Sequence, residues 1–469
     1  MNLLYSCNSV HMKSDRGYEF NFWISFSSVC IVILIFLCVQ SPADCKNKRF
    51  IIDSEIKSYI RDLTKPILAA AGLHEDAIKT YIIHDDSISA FVTKGGKLFL
   101  HTGLLRRTNS PSQLLGVLAH EIGHIAAGHL IHRSRTVQNT SNVAILGMVL
   151  GTITAATTGR GDAGNAIIHG TQKAGLASLY RHSRSQEAAA DQAALRYLAS
   201  ANISPKGLLE FLQTLEVQEL LSLERRSPYV RTHPHTIDRI ELVKNQLALS
   251  TNVRDTLPRK QRIKHSRMIA KLRGFILAPK ETFRLYPTSN KSIAARYARA
   301  IGLYKEANIA KSLAVLENLI DEQPRDAYFW ELKGQLLLET NQKQKAREAY
   351  QAALVFSEND SLIRMQLART ELAINTPEAN YSAHQHLKLT VRSMPNSAFS
   401  WHQLAIAQGR LGHKALAKLS LAEEALLKNN ANLARKNATM AKNNMKKGSS
   451  AYQRALDIIH FSKRLSVTR

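Results

Sequence analysis

The run Leu114 to Ile125, LLGVLAHEIGHI, constrains this chain more than any other stretch. His120 and His124 are four residues apart in an otherwise apolar segment, and on a helix such a pair lies on one face. Two neutral imidazoles can then point their nitrogens at one ion. Glu121 is turned away by about 100° of helix rotation, so it can reach a water molecule beside the ion without being a ligand. That is the zincin layout, with two histidine ligands and a glutamate general base. The alternative, two histidines on a solvated face, has the apolar neighbours Leu114, Leu115, Val117, Leu118, Ile122 and Ile125 against it.

A catalytic zinc needs a third protein ligand and an open position, so a second element must pack on this helix. The segment SRSQEAAADQAALRYL offers it. Glu187 and Asp191 again share a helix face. Ala188, Ala189, Ala190, Ala193 and Ala194 keep that helix slim enough for close packing, and Gly123 and Gly128 permit close approach on the other side. Glu187 would ligate zinc. Asp191 would accept a hydrogen bond from the second nitrogen of a ligand histidine and fix its tautomer. Taken without the histidines, such an acidic pair would read as a solvated face.

The elements around this pair are legible in outline. Residues Ser54 to Ala71 read as a helix. Thr80 to His84 and Ile88 to Thr93 read as strands, and Lys97 to His101 returns after the Gly95-Gly96 turn as the second arm of a hairpin. Asn109, Ser110 and Pro111 form a helix start. Helical stretches follow at Gln172 to Ala199 and Pro205 to Glu224. Asn142 to Thr158 is apolar and rich in small residues; it reads as a buried core segment or a mobile apolar one near the site.

With 469 residues, more than one domain is expected. After basic and proline-containing stretches (Lys260 to Arg273, Phe283 to Ser292), the chain becomes rich in alanine and leucine with helical periodicity. Trp330 and Trp401, each preceded by a proline (Pro324, Pro395), stand about two tetratricopeptide periods apart, allowing a small insertion. These stretches resemble degenerate tetratricopeptide repeats, with a plain helical bundle as the alternative. From Asn429 on, Asp457 is the only acid among many lysines and arginines, which suggests a basic end cap.

All four cysteines lie within the first forty-five residues, so neither a disulfide framework nor a cysteine-ligated zinc belongs to the folded part. Phe22 to Val39 is an apolar run long enough to span a bilayer or to serve as a signal-peptide core. Ser41-Pro42-Ala43 suits signal-peptidase cleavage. Export follows, cleaved or anchored, to the periplasm or envelope. Asp15, Glu19 and the basic residues after the run weigh the other way. The net charge of +26 admits an anionic membrane surface as a partner. No nucleic-acid-binding motif occurs, and none is expected to bind.

HEIGH, SRSQEAAAD and THPHTIDR together, with repeats behind them, resemble gluzincin zinc metallopeptidases of the BepA and HtpX type. The resemblance covers nearly the whole chain after residue 46. It implies a mainly α fold with a small β-sheet: a gluzincin metalloprotease domain followed by an α-helical tetratricopeptide-repeat solenoid. The corresponding division is a leader over 1–45, the peptidase over 46–265, a linker over 266–292, repeats over 293–430 and a basic cap over 431–469. It implies one zinc per chain on His120, His124 and Glu187, with Glu121 as base. It also implies His233 at the open zinc position, where His235 competes for the role, and Arg239 steadying the oxyanion. His129 and His132 read as surface residues. Substrates would be unfolded or misassembled proteins, lying extended on an edge at Lys97 to His101 with Ser89 to Phe91 nearby. The repeats would recruit substrate or outer-membrane assembly machinery. A non-proteolytic repeat-based chaperone with a closed metal site is the alternative.

Overall fold

The computed structural model describes residues 4–5, 50–93, 95–128, 184–219, 229–230, 233, 236–250 and 256–467. The apolar runs at 22–39 and 142–158, and His129, His132 and His235, lie outside these residues. Among the described residues the chain is mainly helical with one small sheet, and no helix is long and apolar enough to cross a membrane. It divides into two units: Met1–Ile52 with Tyr59–His265, and Asp53–Ser58 with Ser266–Arg469.

The first unit is built on strands β1 (Leu4–Tyr5), β2 (Phe50–Ile51), β3 (Lys79–Ile83), β4 (Ala90–Thr93) and β5 (Lys97–His101), in the order β1-β2-β3-β5-β4. β3 and β5 are parallel, and the β4–β5 hairpin turns at Gly95 and Gly96, whose φ of +84° and +68° suit glycine. The period-2 alternation is evident: Ile82, Val92, Leu98 and Leu100 are buried, while Tyr81, Phe91 and Phe99 form a stacked row on the other face. Lys97 to His101, expected at an edge, is internal. It pairs on both sides, and Ala90–Thr93 is the edge strand instead. Two strands adjacent in sequence do form a hairpin, but which arm meets β3 is decided by register with a distant segment.

Helix Pro111–Ala126 starts where the sequence marks it. Ser110 is the cap, accepting from Gln113 N–H at 3.2 Å, with Pro111 in the first turn. It is buried continuously from Gln113 to His124. Two other helices press on it. A Cβ on Gly116 would fall 2.7 Å from Leu208 of helix Lys206–Glu219, and a Cβ on Gly123 would fall 2.7 Å from the Ala190 carbonyl oxygen of the helix at 184–200. Of the alanines expected to slim that second helix, Ala190, Ala193 and Ala194 are buried and Ala188 is exposed. Helix Thr236–Leu249 packs on Lys206–Glu219.

The second unit is a run of helices from Ile293–Lys305 to Ser450–Val467, each packed on the next in sequence. Its repetition is visible in detail. Trp330 Nε1 donates to the Pro324 carbonyl at 2.9 Å, and Trp401 Nε1 to the Pro395 carbonyl at 2.8 Å, each six residues back. Ala307, Asn341 and Gly412 take the left-handed conformation between helices, the first two one 34-residue period apart. The stretch expected as a linker is helical instead, over Arg259–Ile276 and Pro279–Leu285. Its positive charge suggested a solvated connection, but Arg267 and Lys271 are buried. Arg267 binds Glu55 at 2.7 Å and also Asp326; Lys271 binds Asp53 at 2.8 Å and Glu55 at 3.2 Å. Charges neutralised pairwise let a basic segment enter a core.

Candidate metal centre

Helix Pro111–Ala126 places His120 and His124 one turn apart with their Nε2 atoms 3.1 Å from each other. Glu187, from the helix at 184–200, lies 3.3 Å from His120 Nε2 and 3.4 Å from His124 Nε2. His233, three residues before helix Thr236–Leu249, brings Nδ1 to 2.9 Å from Glu187. One donor atom from each of these four buried residues lies within 4.8 Å of every other. Ligand atoms on a tetrahedral ion with bonds of ~2.0–2.1 Å stand about 3.3 Å apart, so the His120, His124 and Glu187 spacings fit one zinc.

Asp191 sits one turn after Glu187 and fixes the histidine from behind. It accepts from His120 Nδ1 at 2.7 Å, which turns the His120 Nε2 lone pair inward. It also takes Arg239 in a forked pair, Nε at 2.7 Å and Nη2 at 2.9 Å. Arg239 Nη1 lies 3.4 Å from both Glu187 Oε2 and the His233 carbonyl. The guanidinium is thus fully buried and shared among three groups of the site.

Burial opposes ionisation of the Asp191 carboxyl, but Arg239 and His120 hold it down at about 2. Burial likewise opposes a charged Glu187, and His233, His120 and His124 keep it well below the usual carboxylate range. For His120, burial and Arg239 lower the imidazole pKa, but Asp191 prevails and raises it to about 9. Burial lowers His124. Two carboxylates are therefore anionic among nitrogen donors, as a cation site requires.

Glu121 is the decisive residue. It is 1% exposed, and among the described residues neither carboxylate oxygen has a hydrogen-bond partner. His233 Nε2 stands 3.5 Å from its Oε1. A buried carboxylate left unpaired costs free energy unless a water, proton or substrate group is meant for it.

Residues 54–247 match the description of Peptidase family M48. All four clustered residues lie within the stretch that is similar to this peptidase family. The chain is 26% identical to the β-barrel assembly-enhancing protease of Yersinia pestis, over 77% of this chain and 74% of that protein. It is 23% identical to the protein of that name from Escherichia coli K12, with the same shares covered. The mitochondrial metalloendopeptidase OMA1 of Schizosaccharomyces pombe is 26% identical over 42% of this chain and 55% of that protein. The chain is a metalloendopeptidase, and the buried His120, His124, Glu187, His233 cluster fits its zinc.

The site also contains a residue that the sequence did not single out. Tyr229 is 1% exposed, with its ring centroid 4.5 Å from that of His233. It carries no metal-ligand spacing and no periodicity. Only its place three residues before the THP segment could have drawn attention to it.

Proposed function

We propose that the chain is an exported zinc endopeptidase that hydrolyses misfolded or stalled envelope proteins. Similarity to two β-barrel assembly-enhancing proteases over three quarters of the chain supports a role in outer-membrane protein assembly. The peptidase occupies 46–265 and a leader or anchor 1–45. Tetratricopeptide repeats over 293–430, with a basic cap over 431–469, recruit substrate or an assembly partner. An anionic membrane surface is a further partner of this positively charged chain.

In this reading His120, His124 and Glu187 hold the zinc. Bound there, zinc supplies Lewis acidity that polarises the scissile carbonyl and makes water a better nucleophile. Glu121 takes the proton from the attacking water and passes it to the leaving amine. Asp191 keeps His120 in the ligating tautomer. Arg239 steadies the developing oxyanion with the guanidinium edge that faces Glu187, its other edge being held by Asp191. His233 closes the fourth position at rest. The outer edge of Ala90–Thr93, unpaired among the described strands, pairs with an extended peptide backbone, a contact indifferent to side-chain sequence.

The buried, unpartnered carboxylate of Glu121 beside the donor cluster carries this reading. Glu121→Gln should keep about one zinc per chain and lose roughly 10²–10⁴-fold in cleavage of an unfolded β-rich substrate. A variant that cuts normally would refute the mechanism. The place of His233 among the donors favours one other reading, a chaperone whose metal site stays shut. Zinc-loaded wild type that never cleaves, yet prevents aggregation, would select it. The mature N-terminus, sequenced from a periplasmic fraction, tests the export assignment.

A further inference from the structure

Tyr229 is buried against the residues just described, yet the mechanism does not use it. Its ring lies over the His233 imidazole at 4.5 Å and 32° between planes, and Phe211 meets it edge-on at 5.5 Å. Its carbonyl accepts the His233 N–H at 2.8 Å. Its own N–H donates to the Ile88 carbonyl at 3.3 Å, two residues before the edge strand Ala90–Thr93. Burial keeps the phenol protonated, and the carboxylate of Glu121 acts in the same direction. The residue is therefore a neutral aromatic slab with one attachment to His233 through the ring, a second through the backbone, and a third to the approach of the edge strand.

We propose that Tyr229 is a positioning residue that holds His233 against Glu187 and Glu121 and ties that hold to the strand on which a peptide lies. The inference rests on the peptidase reading above. His233 reaches Glu187 through Nδ1 at 2.9 Å and faces Glu121 through Nε2 at 3.5 Å, so a ring rotated out of this plane loses both. The stacked phenol opposes that rotation. When a peptide adds to Ala90–Thr93, the backbone at Ile88 takes up the new strand's twist, the Tyr229 N–H bond loosens, and His233 can withdraw. A peptide too short to pair along the strand lacks this means of opening the site.

The test uses the full-length zinc-loaded protein and two readouts. The first is the rate at which excess chelator removes zinc. Tyr229→Phe keeps the ring and should match wild type within about twofold. Tyr229→Leu should release zinc at least tenfold faster, as should His233→Ala. If Tyr229 acts through His233, adding Tyr229→Leu to His233→Ala should change nothing further, whereas a merely structural effect would multiply. The second readout is the ratio of kcat for a peptide long enough to pair with Ala90–Thr93 to kcat for one of two or three residues. Tyr229→Leu should bring that ratio toward one by raising the short-peptide value. Should Tyr229→Leu fail to fold, Tyr229→Met serves in its place. Wild-type release rates in Tyr229→Leu, independent effects in the double variant, or an unchanged kcat ratio would each overturn the proposal. These failures are distinct from failure of the peptidase reading, in which wild type would take up no zinc or Glu121→Gln would still cut.

Discussion

Asp191 is where the site's charge is balanced. It holds the His120 tautomer and both forks of Arg239 while fully buried. Asp191→Asn removes the forked partner of a buried guanidinium, so it should weaken zinc binding by roughly 10–100-fold and cost about 3–5 kcal/mol of stability. A competitive zinc titration and a denaturant melt check the two effects. A second buried group governs acid tolerance. His265 lies between the Tyr59 hydroxyl at 3.0 Å and the Thr108 carbonyl at 3.1 Å, and burial lowers its pKa to about 4. The unfolded state, with a histidine pKa near 6.5, then binds the extra proton first. Stability falls as pH drops from about 6.5 to 4 and no further from this group, by up to roughly 3 kcal/mol. His265→Gln should flatten that part of the stability–pH curve in a series of melts. The zinc-site residues were visible in the sequence because helical spacing places His120 with His124 and Glu187 with Asp191. Tyr229 was not, since a ring contact with His233 leaves no periodic trace.

At the scale of elements, the contact between helix Pro111–Ala126 and the helix at 184–200 decides whether donors from two rods meet. Gly123 makes that contact possible. Gly123→Ala would drive a methyl to 2.7 Å from the Ala190 carbonyl oxygen, a backbone atom that cannot rotate away. The expected result is a loss of about 1–3 kcal/mol and a markedly lower zinc content by elemental analysis, with helicity by circular dichroism unchanged. The hairpin and the capped helix start could be read from local residues: Gly95-Gly96, Ser110 and Pro111. The edge strand could not, because β5 lies inside the sheet only through its pairing with β3. The basic helix Arg259–Ile276 was masked for a similar reason, since Arg267 and Lys271 are neutralised by Asp53 and Glu55, some two hundred residues away in sequence.

For the whole molecule, the division into units does not follow the order of the chain, because Asp53–Ser58 belongs with the helical array while Tyr59 onward belongs with the peptidase unit. The buried charges of that array make this testable. Lys271→Met alone strands Asp53, while Glu55 keeps Arg267, and should destabilise by about 3–5 kcal/mol. In an Asp53→Asn, Glu55→Gln background the same substitution should be neutral or stabilising, since the buried ammonium has then lost its two nearest carboxylates and, among the described residues, keeps only Glu331 at 3.9 Å. Chemical denaturation of the four proteins measures the reversal.

That displaced hexapeptide also has a consequence for biosynthesis. A ribosome emits Asp53 to Ser58 roughly 10–40 s before the arginine and lysine that complement them, at about 5–20 residues per second. Throughout that interval the nascent enzyme carries two acids at the head of the helix Ser54–Ala70 with their cations still untranslated. A truncated transcript ending before Arg267 would therefore yield a chain that is incomplete near its beginning as well as at its end.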